Sequence, residues 1–121
     1  SRTVVILGAS DKPERVSNML LQRLKARAGY DPVPVNPVLE TIDGVPVRRA
    51  LAEVAPGPDV LTVYVGPRHS DLLESDIVAL RPRKVLFNPG AENPELEARL
   101  REAGIDTESA CSLVLLGQGL L

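Results

Sequence analysis

The sequence has 121 residues, 44% of them apolar, 25% charged and only 2% aromatic, with a formal net charge of −2. That balance describes one globular domain with a core of Val, Leu, Ala and Ile, and it excludes both a broadly basic nucleic-acid surface and the aromatic stacking platforms of single-strand binders. One cysteine, Cys111, and one histidine, His69, are too few for an internal disulfide or a transition-metal cluster, and no run approaches the ~20 apolar residues of a membrane span.

The first apolar run, residues 3–7, is short, Val-rich and non-alternating, the pattern of a parallel strand covered on both faces. With a strand starting there, no leader is expected, and the expected compartment is the cytoplasm. Gly8, Ala9 and Ser10 end the strand, and a polar loop with Asp11, Lys12, Pro13 and Arg15 follows. Val16, Leu20, Leu21, Leu24 and Ala28 then recur at helical spacing, with Gly29 as the stop. A second strand over 31–35 runs into Asn36 and Pro37, and 47–55 reads as a weaker helix closed by Pro56-Gly57-Pro58. The third strand, 59–65, leads into Gly66, Pro67 and Arg68; Leu72, Leu73, Ile77 and Leu80 then form a helical stripe opened by Ser70, Asp71 and Glu74. The fourth strand, 84–87, ends in Asn88, Pro89 and Gly90. Leu96, Leu100 and Ala103 mark another helix, with Asn93 as its cap, Pro94 in its first turn and Gly104 past its end. A short fifth strand is expected over 105–108, and the closing "SACSLVLLGQGLL" reads equally as a strand or a short terminal helix.

Strands alternating with helices predict an α/β fold of three layers, a doubly wound parallel sheet of Rossmann-like order 3-2-1-4-5, in a single domain. Ligands of such sheets bind beyond the carboxyl ends of the strands, where the strand order reverses. Four strand exits therefore qualify together: Gly8-Ala9-Ser10, Asn36-Pro37, Gly66-Pro67-Arg68 and Asn88-Pro89-Gly90. The first suits a phosphate: a glycine for the sharp exit, small residues, a Ser hydroxyl, nearby Lys12 and Arg15, and a helix start at Ser17 and Asn18 with free N–H groups. A dinucleotide fingerprint is a poor match, because the second and third glycines are missing and Asn36 stands where a ribose-binding acid belongs. A P-loop is excluded by the lack of Gly-Lys-Ser/Thr.

"VVILGASDKPERVSN", "PVPVNP", "DVLTVYVGP", "KVLFNPGAEN" and "ACSLVLL" occur in the order and spacing of the small stand-alone CoA-binding domain proteins, so nearly the whole chain resembles that family. It is similar in turn to the CoA-binding Rossmann domain of the succinyl-CoA synthetase alpha subunit. The resemblance implies CoA or an acyl-CoA as ligand. Gly8, Ala9, Ser10, Asp11, Lys12 and Pro13 would wrap its pyrophosphate; Asn36 and Pro37 would flank the nucleotide; Val65, Gly66 and Pro67 would border the adenosine side. Asn88, Pro89 and Gly90 would line the pantetheine passage. The lysine that follows strand two in the synthetase has no counterpart in Val38-Leu39-Glu40, and His69 is not equivalent to the synthetase's phosphorylated histidine.

Catalysis would need a nucleophile with a base, or paired carboxylates in a cleft. Glu92, Glu95, Glu97 and Glu102 fall at surface spacing, and Glu108 is the one carboxylate near a strand end. Cys111 reads either as a small buried hydrophobe or as a thiol contact for the pantetheine end, open to a mixed disulfide with CoA. The expectation is therefore a non-catalytic binder of CoA or an acyl-CoA. An NAD(P)- or other nucleotide-binding regulatory domain and a ligand-free structural partner domain are the alternatives. No nucleic-acid or membrane partner is expected, and the apolar C-terminal run fits either a homodimer contact or a core helix.

Overall fold

The computed structural model describes Ser1–Leu121. β1 (Arg2–Leu7) is an inner strand of its sheet, and its Val4, Val5 and Ile6 have no solvent exposure. Alternation along the strand sends Val5 and Leu7 to one face of the sheet and Val4 and Ile6 to the other, so both faces need a cover and the run is continuously apolar. β2 (Tyr30–Val35), β5 (Val60–Val63), β6 (Lys84–Phe87) and β7 (Asp106–Ser109) join it, all in parallel, in the order β2-β1-β5-β6-β7. Leu20, Leu21 and Leu24 of α1 (Val16–Lys25) and Leu116 of α5 (Ser112–Gly117) cover one face. Ile77 and Leu80 of α3 (Glu74–Leu80) and Leu96 and Leu100 of α4 (Pro94–Glu102) cover the other. The expected three-layer, Rossmann-like α/β domain is what the chain forms.

The strand order departs from the expected 3-2-1-4-5. Counting the five long strands in chain order, the sheet runs 2-1-3-4-5. Two prolines in β2 cause this. The Pro34 carbonyl accepts from Arg48 N–H, and Asn36 N–H donates to the Arg48 carbonyl, both at 2.9 Å, so even-numbered positions of β2 face away from β1. Pro32 and Pro34 therefore withhold N–H groups from the side a further strand would need, and proline is tolerated there only on an edge. The third long strand pairs with the free side of β1 instead.

The helix expected over 47–55 is also replaced. Asp43 (φ 49°) and Gly44 (φ 79°) make a two-residue turn between β3 (Thr41–Ile42) and β4 (Val45–Pro46), a hairpin that needs positive φ at both positions. Arg48 then bonds to the margin of β2, which uses the backbone groups a helix would require, and only a 3-10 turn remains at Leu51–Glu53. The Leu72 stripe divides as well. α2 (Pro67–Leu72) and α3 meet at Leu73; Leu72 is 82% exposed, whereas Leu73, Ile77 and Leu80 pack against the core. The ambiguous C-terminus is a helix, α5; its Leu116 and the terminal Leu121 pack into the core.

At α4 the expected cap is in place. The Asn93 side chain accepts from Leu96 N–H at 3.2 Å, and its amide donates to Ser70 Oγ and Asp71 Oδ1, tying α4 to α2. Asn93→Ala removes the cap and both cross-links; urea denaturation is expected to show a loss of about 1–3 kcal/mol.

Candidate functional site

The carboxyl end of β1 turns at Gly8, whose φ of +86° already favours glycine; a Cβ there would lie 2.9 Å from Val65 Cγ1. The N–H groups of Gly8 and Ala9 both donate to the Val35 carbonyl. Two buried or half-buried amide side chains hold the next two carbonyls: Asn36 Nδ2 donates to Ala9 O and Asn18 Nδ2 to Ser10 O, each at 2.9 Å. Ser10 Oγ accepts from Lys12 N–H at 3.1 Å, which curls the loop toward α1. α1 begins after Arg15 without a side-chain cap, so Ser17 and Asn18 lie inside its first turn rather than before it. None of the N–H groups of Ser10, Asp11, Val16 and Ser17 has a protein partner.

Of these residues, Ser10, Val16 and Ser17 border an open cavity of about 610 Å³. Gly8, Ser10, Lys12, Glu14, Arg15, Val16 and Ser17 form its β1–α1 wall; Tyr64, Asn88, Pro89 and Cys111 form the opposite one. Lys12 and Arg15 make no ion pair, so two free cations share this wall with unpartnered N–H groups. Glu14 is the one carboxylate on it.

Eight of the residues expected from the sequence therefore meet at one cavity: Gly8, Ser10, Lys12, Arg15, Ser17, Asn88, Pro89 and Cys111. The others stand around it. Ala9 is buried beneath the loop, whereas Asp11 and Pro13 are exposed on it. Asn36 is committed to the fold, its Oδ1 accepting from Val38 and Leu39 N–H, and Pro37 is exposed beyond it. Val65 packs against the Gly8 turn, and Gly66 and Pro67 start α2. Gly90 closes an exposed turn, its N–H donating to Glu92 Oε1. Asn88 meets the cavity with its side chain occupied elsewhere: Nδ2 donates to Thr62 Oγ1 and Val63 O, and Oδ1 accepts from Ser112 N–H.

On the wall opposite the β1–α1 loop, Tyr64 is the lining residue that sequence reasoning missed. Strand alternation places it on the same face as Thr62, and an aromatic at a strand exit in a chain with so few was the available signal. Its hydroxyl is buried without a hydrogen-bond partner. Thr62 and Ser112 stand near, but their hydroxyls bond to each other at 2.6 Å. Burial pushes the Tyr64 phenol from its ordinary 10.0 up to about 12; the Cys111 thiol adds to the rise, and the two nearby hydroxyls oppose it.

A family model described as a CoA binding domain matches residues 2–117. Uncharacterized protein YneT of Bacillus subtilis (strain 168) is 33% identical over 64 residues, 53% of this chain and 47% of YneT, so the match spans about half the length of that relative. Among solved structures, the crystal structure of an uncharacterized protein superposes with a TM-score of 0.91 at 33% identity, covering 99% of this chain and 98% of the other. The structure of cell-free ID.343 from Thermus thermophilus superposes at 0.87 with 29% identity, covering 100% and 91%. The dinucleotide forming acetyl-coenzyme A synthetase 1 of Ca. Korarchaeum cryptofilum, in complex with phosphate and ADP, shares the fold at 19% identity, with a TM-score of 0.74 over 89% of this chain and 25% of that one.

The raised Tyr64 pKa carries a sign for stability. Between about pH 10 and 12 the unfolded phenol has released its proton and the native one keeps it, so the unfolded state binds fewer protons and stability falls as pH rises through this window. In a Tyr30→Phe background, phenolate absorbance is expected to titrate near 12 in native protein and near 10 after denaturation.

Proposed function

The chain belongs to the CoA-binding domain family, and on that premise we propose that it binds CoA or an acyl-CoA across the carboxyl ends of β1, β5 and β6 without catalysing a reaction. One observation supports the placement above all. The unpartnered N–H groups of Ser10, Val16 and Ser17 border the same cavity as the unpaired Lys12 and Arg15. Backbone N–H groups at a helix start and cations without counter-ions favour a diphosphate there, since charge-assisted hydrogen bonds are the strong ones. Gly8 lets the backbone approach closely, and the loop formed by Gly8, Ala9, Ser10, Asp11, Lys12 and Pro13 wraps the pyrophosphate.

From that anchor the nucleotide extends toward Asn36 and Pro37 and along Val65, Gly66 and Pro67. The pantetheine arm follows Asn88, Pro89 and Gly90 toward Cys111. Tyr64 and Cys111 supply the less charged end of the cavity, suited to a thiol or a small acyl group. The volume of about 610 Å³ lies within the range of ordinary ligand pockets, and its openness to solvent leaves the adenosine at the surface. A non-catalytic role fits the residues at hand. Glu14, the one cavity carboxylate, sits at the diphosphate end, and Cys111 has no histidine or carboxylate hydrogen-bonded to it.

Titration calorimetry tests this directly. CoA and acetyl-CoA are expected to bind and NAD is not. Lys12→Glu combined with Arg15→Glu is expected to weaken CoA binding by about 100-fold or more, the loss of two charge-assisted contacts, with the melting temperature of the free protein little changed. Thermal stabilisation by NAD alone, or CoA affinity untouched by the double variant, would overturn the reading. Intact mass after incubation with CoA disulfide reports on Cys111. Its thiolate displaces one CoA thiol and forms one reducible CoA adduct, which Cys111→Ser abolishes.

A further inference from the structure

Asn18 and Asn36 lie on different elements and line no part of the cavity, yet each donates its side-chain amide to one of two successive loop carbonyls. The orientation of both amides is fixed by their other partners. The Asp43 carboxylate only accepts, so the Asn18 atom facing Oδ2 at 3.0 Å is Nδ2. Asn36 Oδ1 accepts from Val38 and Leu39 N–H at 2.8 and 3.0 Å, which leaves Nδ2 for Ala9 O. A trans peptide unit holds its C=O and N–H on opposite sides. Drawing Ala9 O toward Asn36, on the β2 side, therefore turns Ser10 N–H toward the β5 side, where Tyr64 borders the cavity. Drawing Ser10 O inward to Asn18, itself 1% exposed, turns Asp11 N–H outward.

We infer that Asn18 and Asn36 are positioning residues that hold the Ala9 and Ser10 carbonyls away from the cavity and present the Ser10 amide as a diphosphate donor, with Asp43 holding Asn18 in place from the β3–β4 turn. Asp43 Oδ2 accepts from Gln22 Nε2 as well as from Asn18, and Lys25 Nζ donates to the Asp43 carbonyl, so the hairpin is fastened to the same face of α1 that carries Asn18. Preorganised in this way, the loop need not be reoriented when a ligand arrives. Without the two side chains, either peptide unit could flip and point an oxygen at the phosphate. This inference rests on the CoA reading and adds residues to it that no ligand contact would reveal.

Two variants separate positioning from support of the fold. Asn36→Ser keeps an acceptor for the Val38 and Leu39 N–H groups without adding charge, and its short hydroxyl no longer reaches Ala9 O. Asn18→Asp paired with Asp43→Asn restores the bond between helix and hairpin but leaves Ser10 O without its donor. The readout is the ratio of ADP affinity to adenosine affinity, followed by NMR titration beside CoA calorimetry. In each variant that ratio and the CoA affinity are expected to fall about tenfold, and in the Asn18–Asp43 pair, which contributes nothing to the nucleotide's surroundings, adenosine affinity stays at the wild-type value. A ratio equal to wild type in both variants, or ADP and adenosine affinities falling together in that pair, would overturn the inference alone. Wild-type protein that binds no CoA would overturn the CoA reading and this inference with it.

Discussion

Pro32 and Pro34 offer no N–H to the outer side of β2, and much of the domain's layout follows from that deficit. With β2 confined to the margin, β5 must lie against the opposite side of β1, and the reversal of strand order falls between β1 and β5. This brings Val65 against Gly8 and stands Tyr64 across from the β1–α1 loop. A sheet of the expected order would have placed different walls around the same loop. The cavity is thus a product of strand order as much as of the loop that anchors it.

The opposite wall is held by a buried polar cluster. Asn88 joins Thr62 and Val63 of β5 to Ser112 of α5, and Thr62 and Ser112 share a short hydrogen bond. Every polar atom of Asn88 is used, so the cluster stabilises and specifies one arrangement rather than leaving a desolvation penalty behind. Its effect at the cavity is to fix Pro89 and Cys111, the residues on either side of the cluster, relative to the carboxyl end of β5. Tyr64 is the exception beside it, a hydroxyl that burial has stripped of water without supplying a partner.

What the sequence made legible was local. Four apolar runs and one short segment after Gly104 gave the five strands, and Asn93-Pro94 and Gly104 bracketed α4 because caps and stops depend on neighbours in the chain. The Gly8 exit was readable for the same reason. Strand order was harder, although the prolines of β2 spoke to it, as Asp43-Gly44 spoke to the hairpin. The bracing roles of Asn18 and Asn36 had no local signature. Each depends on a carbonyl brought near by the fold, 8 residues away for one and 27 for the other. The site was accordingly found by its loops, while the side chains that shape those loops emerged only in three dimensions.

The far margin of the sheet has a consequence of its own. β7 is four residues long, polar throughout, and carries Asp106 and Glu108, the latter paired with Lys84 at 2.7 Å. Short, charged outer strands discourage annexation by a neighbouring chain, and the prolines of β2 do the same on the other flank. Sheet-to-sheet extension is closed to this domain at both ends, which leaves its helical surfaces as the ground on which copies of it could meet.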